Sequence, residues 1–337
     1  MNSKNDLSAE NNGSSVTPPK FPEKLIVEPI QSNPPPNIDG LGPLIHLIGT
    51  WTNQDLGSTY TGGKASPYSY NIMPLPTSSA STGYILKNFK YYEEITFSPV
   101  HGNAPNRGGS YNQNANILFY EQRVYFAEGP AKDKLVHAEN GSWLFLATGP
   151  QSQNPYKKTP VVPHPIPIPA QPEFSNVAKQ MSVPHGNSIL AQGGINPNAY
   201  IQEGPLKIED YPNDVIPPTI DSKPYQEKSV GNPYPELNKN PNQPLQDGTK
   251  DNPCDAFIHL SVDTQNPQVL GHVTNIPFEE RHANVVDYKA NYWLQAFEFG
   301  QFTQLSYNQT IYMDIKIGDS IVKFPHITCN TLTKKIV

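Results

Sequence analysis

The residues most able to do chemistry lie in three short stretches. His137 and Glu139 alternate with apolar positions in LVHAENGSWLFL, so both point to one face of a strand. Arg123, in ILFYEQRVYF, could reach such a carboxylate from a neighbouring strand. Turned inward, an Arg and Glu pair would orient a polar head group; turned outward it would be a surface ion pair worth under about 1 kcal/mol. His185 stands before Gly186 in VPHG, where a glycine permits close backbone approach. It is either a polar group of a pocket or a turn histidine at a strand end. His326, in FPHIT, shares a strand face with Val322, Phe324 and Thr328.

Several chemistries are excluded. No Gly-x-Ser-x-Gly elbow, phosphate loop or dinucleotide glycine fingerprint occurs. His282 has no second His or Cys at ligand spacing beside it. Cys254 and Cys329 form no Cys-x-x-Cys and read as two buried thiols. Trp51, Trp143, Trp293 and the 18 tyrosines read as core and cavity-wall aromatics.

The elements that must carry these residues are strands. Proline (37) and glycine (23) fill about 18% of the 337 positions, against about 12% in ordinary chains. Their uneven spread predicts a folded core interrupted by long irregular segments. Residues 1–40, with Pro34-Pro35-Pro36, read as a disordered arm. In LGPLIHLIGTW, Pro43 opens a short helix and Gly49 ends it, with a strand starting at Thr50.

Strands are expected over 89–97, 117–126, 135–146, 256–260, 268–275, 283–298 (one or two), 304–317 and 321–332, with β character returning over 178–192. The alternation breaks at Glu93 and Gln122, and Gly141 suggests a bulge. Pro325 predicts another bulge, one that re-aims His326. Residues 99–115 read as a long loop, and 150–175 and 194–253 as Pro-rich insertions lying over the fold or extending from it. With eight to ten strands, one leading helix and no βαβ alternation, the fold class is all-β. The expected architecture is a single antiparallel barrel over 41–335.

The chain carries 24 basic and 30 acidic residues, net charge -6, with no basic run to hold nucleic acid. No run of about 18 apolar residues crosses a bilayer, and the first 20 residues lack a secretory core, so a cytoplasmic setting is the default.

Three blocks, in this order, resemble the nitrobindin family, haem-binding barrels related to fatty-acid-binding proteins and lipocalins (the calycins). They are Ile48-Gly49-Thr50-Trp51, Phe119 to Leu144, and Gln304 to Lys335. Ser182 to Gly193 is a weaker fourth. The middle block is the most specific, with Tyr120, Gln122, Arg123, His137, Glu139, Gly141 and Leu144 in family order. Together they cover about half of the chain. The glycine repeat that follows the family's Trp is reduced to Gly57 in TNQDLG.

The resemblance implies a calycin-like barrel holding haem b, with His326 on the last strand as the iron ligand and redox or isomerase-type chemistry on small reactive species. A neutral imidazole on an apolar wall suits that role. His185, Arg123, His137, Glu139, Trp51 and Phe324 are the remaining candidates to contact a small apolar ligand. Two other readings stand beside this one: a haem-free carrier of a lipid or other apolar metabolite, and an enzyme acting on an apolar substrate in the cavity.

Overall fold

The computed structural model describes residues 38–53, 70–76, 84–87, 91–105, 113–127, 129–148, 176–195, 200–211, 240–266, 271–297, 301–317 and 319–335. The expected disordered arm falls almost wholly outside them, and the first Pro-rich insertion, 150–175, lies entirely outside them.

Ten antiparallel strands close into a barrel. In ring order they are β1 (Gly49–Thr52), β4 (Tyr91–Pro105), β5 (Gln113–Phe126), β6 (Leu135–Thr148), β7 (Val177–Val183), β8 (Asn187–Gly194), β10 (Ala256–Asp263), β12 (Asn284–Phe297), β13 (Gln301–Ile317) and β14 (Ser320–Lys334). The ring closes where Trp51 pairs with Lys334 and Thr52 with Thr333. Four strands lie off the ring: β2 (Tyr70–Pro76) pairs with β14, β3 (Tyr84–Lys87) with β2, β9 (Gln202–Glu203) with β10, and β11 (His272–Asn275) with β8. Closure removes the exposed strand edges that would otherwise recruit other chains.

One end is plugged by the opening 3-10 helix, Ile38–Leu47. Leu41, Leu44 and Leu47 recur every third residue, the period of a 3-10 turn, and all three are buried. Each contributes about 1.5–3 kcal/mol of burial. The helix kinks at Gly42, whose φ is 53°. A Cβ there would stand 2.8 Å from the Phe145 ring, so glycine is required on both counts. Pro43, expected to open the helix, instead follows the kink, because the helix starts at Ile38. The Trp51 indole donates to the Leu47 carbonyl at 2.7 Å, tying the helix end to β1.

The long strands exceed their sequence-based bounds. The stretch read as a loop, 99–115, is strand at both ends, since β4 runs to Pro105 and β5 begins at Gln113. Gly141 is not a bulge. It pairs in register with Tyr120 and Met181, and a Cβ there would lie 1.9 Å from the Gln180 carbonyl oxygen. The irregularity of that hairpin sits at Val124/Tyr125 instead. Pro325 causes no bulge either, because Phe324, Pro325 and His326 pair in order with Met313, Tyr312 and Ile311. β2 covers β14 only from Ile327, so Pro325 lies where a missing N–H is tolerated.

Two short helices went unanticipated: α1 (Gln243–Asp251) and α2 (Pro277–His282). Part of the second Pro-rich stretch is thus structured. Leu206 and Ile208, with Leu245 of α1, form an apolar cluster with Trp293, Ile327 and Cys329. These barrel residues alternate with the inward Tyr292 and Asn330, so the cluster lies against the outer wall. Asn242 holds it there, donating to the Glu209 carbonyl and accepting from Asn308. Both cysteines are buried free thiols. Among the described residues no helix is long and apolar enough to cross a membrane.

Candidate functional site: a half-filled barrel

The barrel interior divides into a filled part and an open part. Trp51, Phe97, Leu118 and Trp143 pack tightly beneath the 3-10 helix. Toward the opposite end, where the β5–β6, β7–β8 and β13–β14 turns lie, a cavity of about 400 Å³ remains. That is within the range of small-molecule sites, roughly 300–1,000 Å³. Its walls are largely apolar, with Val124, Val183, Ile189, Val285, Ile311 and Met313 contributing. Phe278, Glu279 and His282 of α2 border its mouth.

Between the two parts lies a layer of buried polar side chains. Lys179, Glu139 and Glu93 are all out of contact with solvent. Lys179 Nζ lies 3.4 Å from Glu139 Oε1, 2.8 Å from the Tyr288 hydroxyl and 3.2 Å from the Tyr292 hydroxyl. The rings of Tyr120, Trp143, Tyr288 and Tyr292 surround it at 5.0–5.8 Å. Such a cage stabilises a cation that water cannot reach. Tyr120 donates its hydroxyl to Glu139 Oε1 at 2.9 Å. Burial alone would raise the Glu139 carboxyl, but Lys179, then His137 and Tyr120, reverse this and hold it at about 2.

Glu93 is held differently. It accepts from Tyr307 (2.6 Å), Gln122 (2.5 Å) and Asn330, and pairs with no cation among the described residues. Burial pushes its carboxyl above the ordinary range, the three donors opposing.

Four of the sequence candidates gather here. His326, His137 and His185 line the cavity, and Glu139 stands directly behind His137, Oε2 to Nε2 3.4 Å. The His137 and His185 ring centroids are 5.7 Å apart. His326 is partly open to the cavity, yet its Nε2 is covered and has no hydrogen-bond partner. Burial first, then His137 and His185, lower its pKa to about 4, so the ring is neutral at neutral pH. Burial likewise lowers His185, with His137 adding to it.

The other three lie elsewhere. Arg123 is half exposed on the outer face and pairs with Glu121, not Glu139. Trp51 belongs to the filled end. Phe324 is buried in the cluster that includes Ile315 and Ile327, and is not among the cavity-lining residues. Among the described residues no group of three or more His, Cys, Asp or Glu could hold a bare metal ion.

Sequence reasoning missed Lys179. It occupies the inward parity of β7 between Val177 and Met181, and a lysine in that place was the available signal. Glu93 and Gln122 did register, as breaks in alternation, and they prove to be partners of one another.

No family model matches this chain, and no curated protein matches it. Among solved structures it is similar to the one titled crystal structure of Rv2717c from M. tuberculosis, at 14% identity and a TM-score of 0.38. The match covers 90% of this chain and 99% of that one. At those values the likeness bears on neither ligand nor chemistry.

Proposed function

We propose that the barrel is a small-molecule-binding protein whose guest is haem b, bound through His326. The observation that carries this reading is the His326 imidazole, neutral, unpartnered at Nε2, and set in the wall of a mostly apolar cavity. A buried nitrogen without a partner costs about 1–3 kcal/mol, which ligation would recover. Neutral imidazole is also the form that binds iron. The blocks that resemble nitrobindins favour the same residue. Because Nε2 is covered while the ring is partly open, a turn of the ring is part of the proposed binding.

Each side of the cavity has its task. Ile311 stands opposite His326 across the strand pair, and Met313 adds to the apolar wall of the same cavity. His137 and His185 present polar edges within the same cavity, and Glu139 orients His137 from behind. Haem, when bound, supplies redox or isomerisation chemistry toward small nitrogen or peroxide species.

A second reading is a haem-free carrier of an apolar metabolite, which the mostly apolar walls favour. Titration of the full chain with ferric haem tests the first reading, and mass spectrometry of material extracted from the purified protein tests the second. A saturable Soret band at one haem per chain supports haem binding. A spectrum equal to that of free haem, with an organic molecule recovered from the chain, supports the carrier.

A further inference from the structure

Glu139 has two oxygens with different duties. Oε1 accepts from Tyr120 and faces Lys179, whereas Oε2 meets His137 Nε2 at 3.4 Å. An ionised carboxylate only accepts, so His137 Nε2 carries the hydrogen. In the neutral ring the lone pair then sits on Nδ1. No hydrogen bond ties Nδ1 to a described residue. The ring is 21% exposed and borders the cavity. This is an oriented base beside an apolar chamber, with a fixed anion behind it to stabilise its protonated form.

We propose that His137 accepts a proton from guests of this cavity, and that those guests are apolar molecules with one weakly acidic O–H, of the phenol class. This rests on the cavity being a small-molecule site, but not on haem being its occupant. In the transfer the guest's O–H bond breaks and an N–H bond forms at Nδ1. The electron pair stays on the guest oxygen, leaving an imidazolium against Glu139 and a phenolate in the cavity. No other reactant is consumed.

The surroundings suit the step. Lys179 already balances Glu139, so neither charge is free to hold the proton elsewhere. His185 from the β7–β8 turn, His326 from β14 and His282 from α2 border the same space. Glu279 of α2, the one carboxylate among the described lining residues, opposes the phenolate at the mouth.

The test uses the full chain with p-nitrophenol and p-nitroanisole, at a pH about one unit below the pKa of the free phenol. Binding is followed by tryptophan fluorescence and ionisation by the phenolate absorption band. The expected result is a phenolate band on binding, with the phenol held roughly tenfold tighter than the anisole. His137→Gln should abolish the band and bring the two affinities together. A band that survives in His137→Gln overturns the proposal. Binding of both probes with no band overturns it and leaves the cavity reading intact, whereas binding of neither overturns both. Nitrogen-15 NMR of the wild-type ring gives a check that needs no variant: hydrogen at Nε2 is expected, and hydrogen at Nδ1 contradicts the proposal.

Discussion

Lys179 Nζ and Glu139 Oε1 stand 3.4 Å apart inside the barrel, with neither side chain in contact with solvent. The pair separates the packed end from the open end. It brings both a charge pair and four aromatic rings to a layer that could have been apolar. Taking two charges out of water is unfavourable unless both are well partnered, and here each has hydroxyl partners as well as the other.

Removing one member should therefore be worse than removing both. Lys179→Met leaves the buried Glu139 without its cation, and should cost about 3–5 kcal/mol in urea unfolding. The Lys179→Met/Glu139→Gln double variant should recover part of that loss. Equal stability of Lys179→Met and wild type would show that the pair is not formed.

Acid should unfold the protein in two windows. His326 has a folded pKa of about 4, below its ordinary 6.5. Its contribution is present above pH 6.5 and is lost as pH falls toward 4, by roughly 3 kcal/mol at most. Glu139, at about 2, contributes above its ordinary value of 4.5 and loses that contribution as pH falls toward 2. Glu93, raised by burial, works in the opposite sense. The difference between wild type and His326→Phe isolates the upper window. Stability measured from pH 7 to 4 should fall less steeply in the variant.

Gly141→Ala should be costly although glycine is ordinarily poor in a strand. The added methyl meets the Gln180 carbonyl oxygen at 1.9 Å, so β6 and β7 must part, at about 1–3 kcal/mol or more. Gly129→Ala, with open space around it and a φ of 77°, should pay only for backbone strain, about 1 kcal/mol. Thermal melting of the two variants ranks them.

Arg123→Ala should leave guest binding unchanged, since that side chain lies on the outer face beside Glu121. A haem titration that differed from wild type would place Arg123 in the site after all.

The barrel was legible because strand alternation is a local property. The inward row Leu118, Tyr120, Val124 and the row Ile311, Met313, Ile315 could be read from spacing alone. Long hairpins were underestimated where Asn, Gly and Pro crowd the strand ends, as at 99–105, because cross-strand pairing outweighed weak local preference. The site was legible residue by residue but not as a set. His137 and Glu139 fall two apart on one strand, so their union could be foreseen. Lys179 comes 40 residues after Glu139, and only the β6–β7 register joins them. Arg123 takes the outward of its two readings, because parity, not proximity in sequence, decides which wall a side chain faces.

His326 is the residue on which the haem proposal depends most directly. Absorption spectra of wild type and His326→Ala, each mixed with one equivalent of ferric haem, measure its role. A sharp, shifted Soret band in wild type that is absent in His326→Ala is the predicted outcome. The same band in both proteins, or in neither, contradicts it.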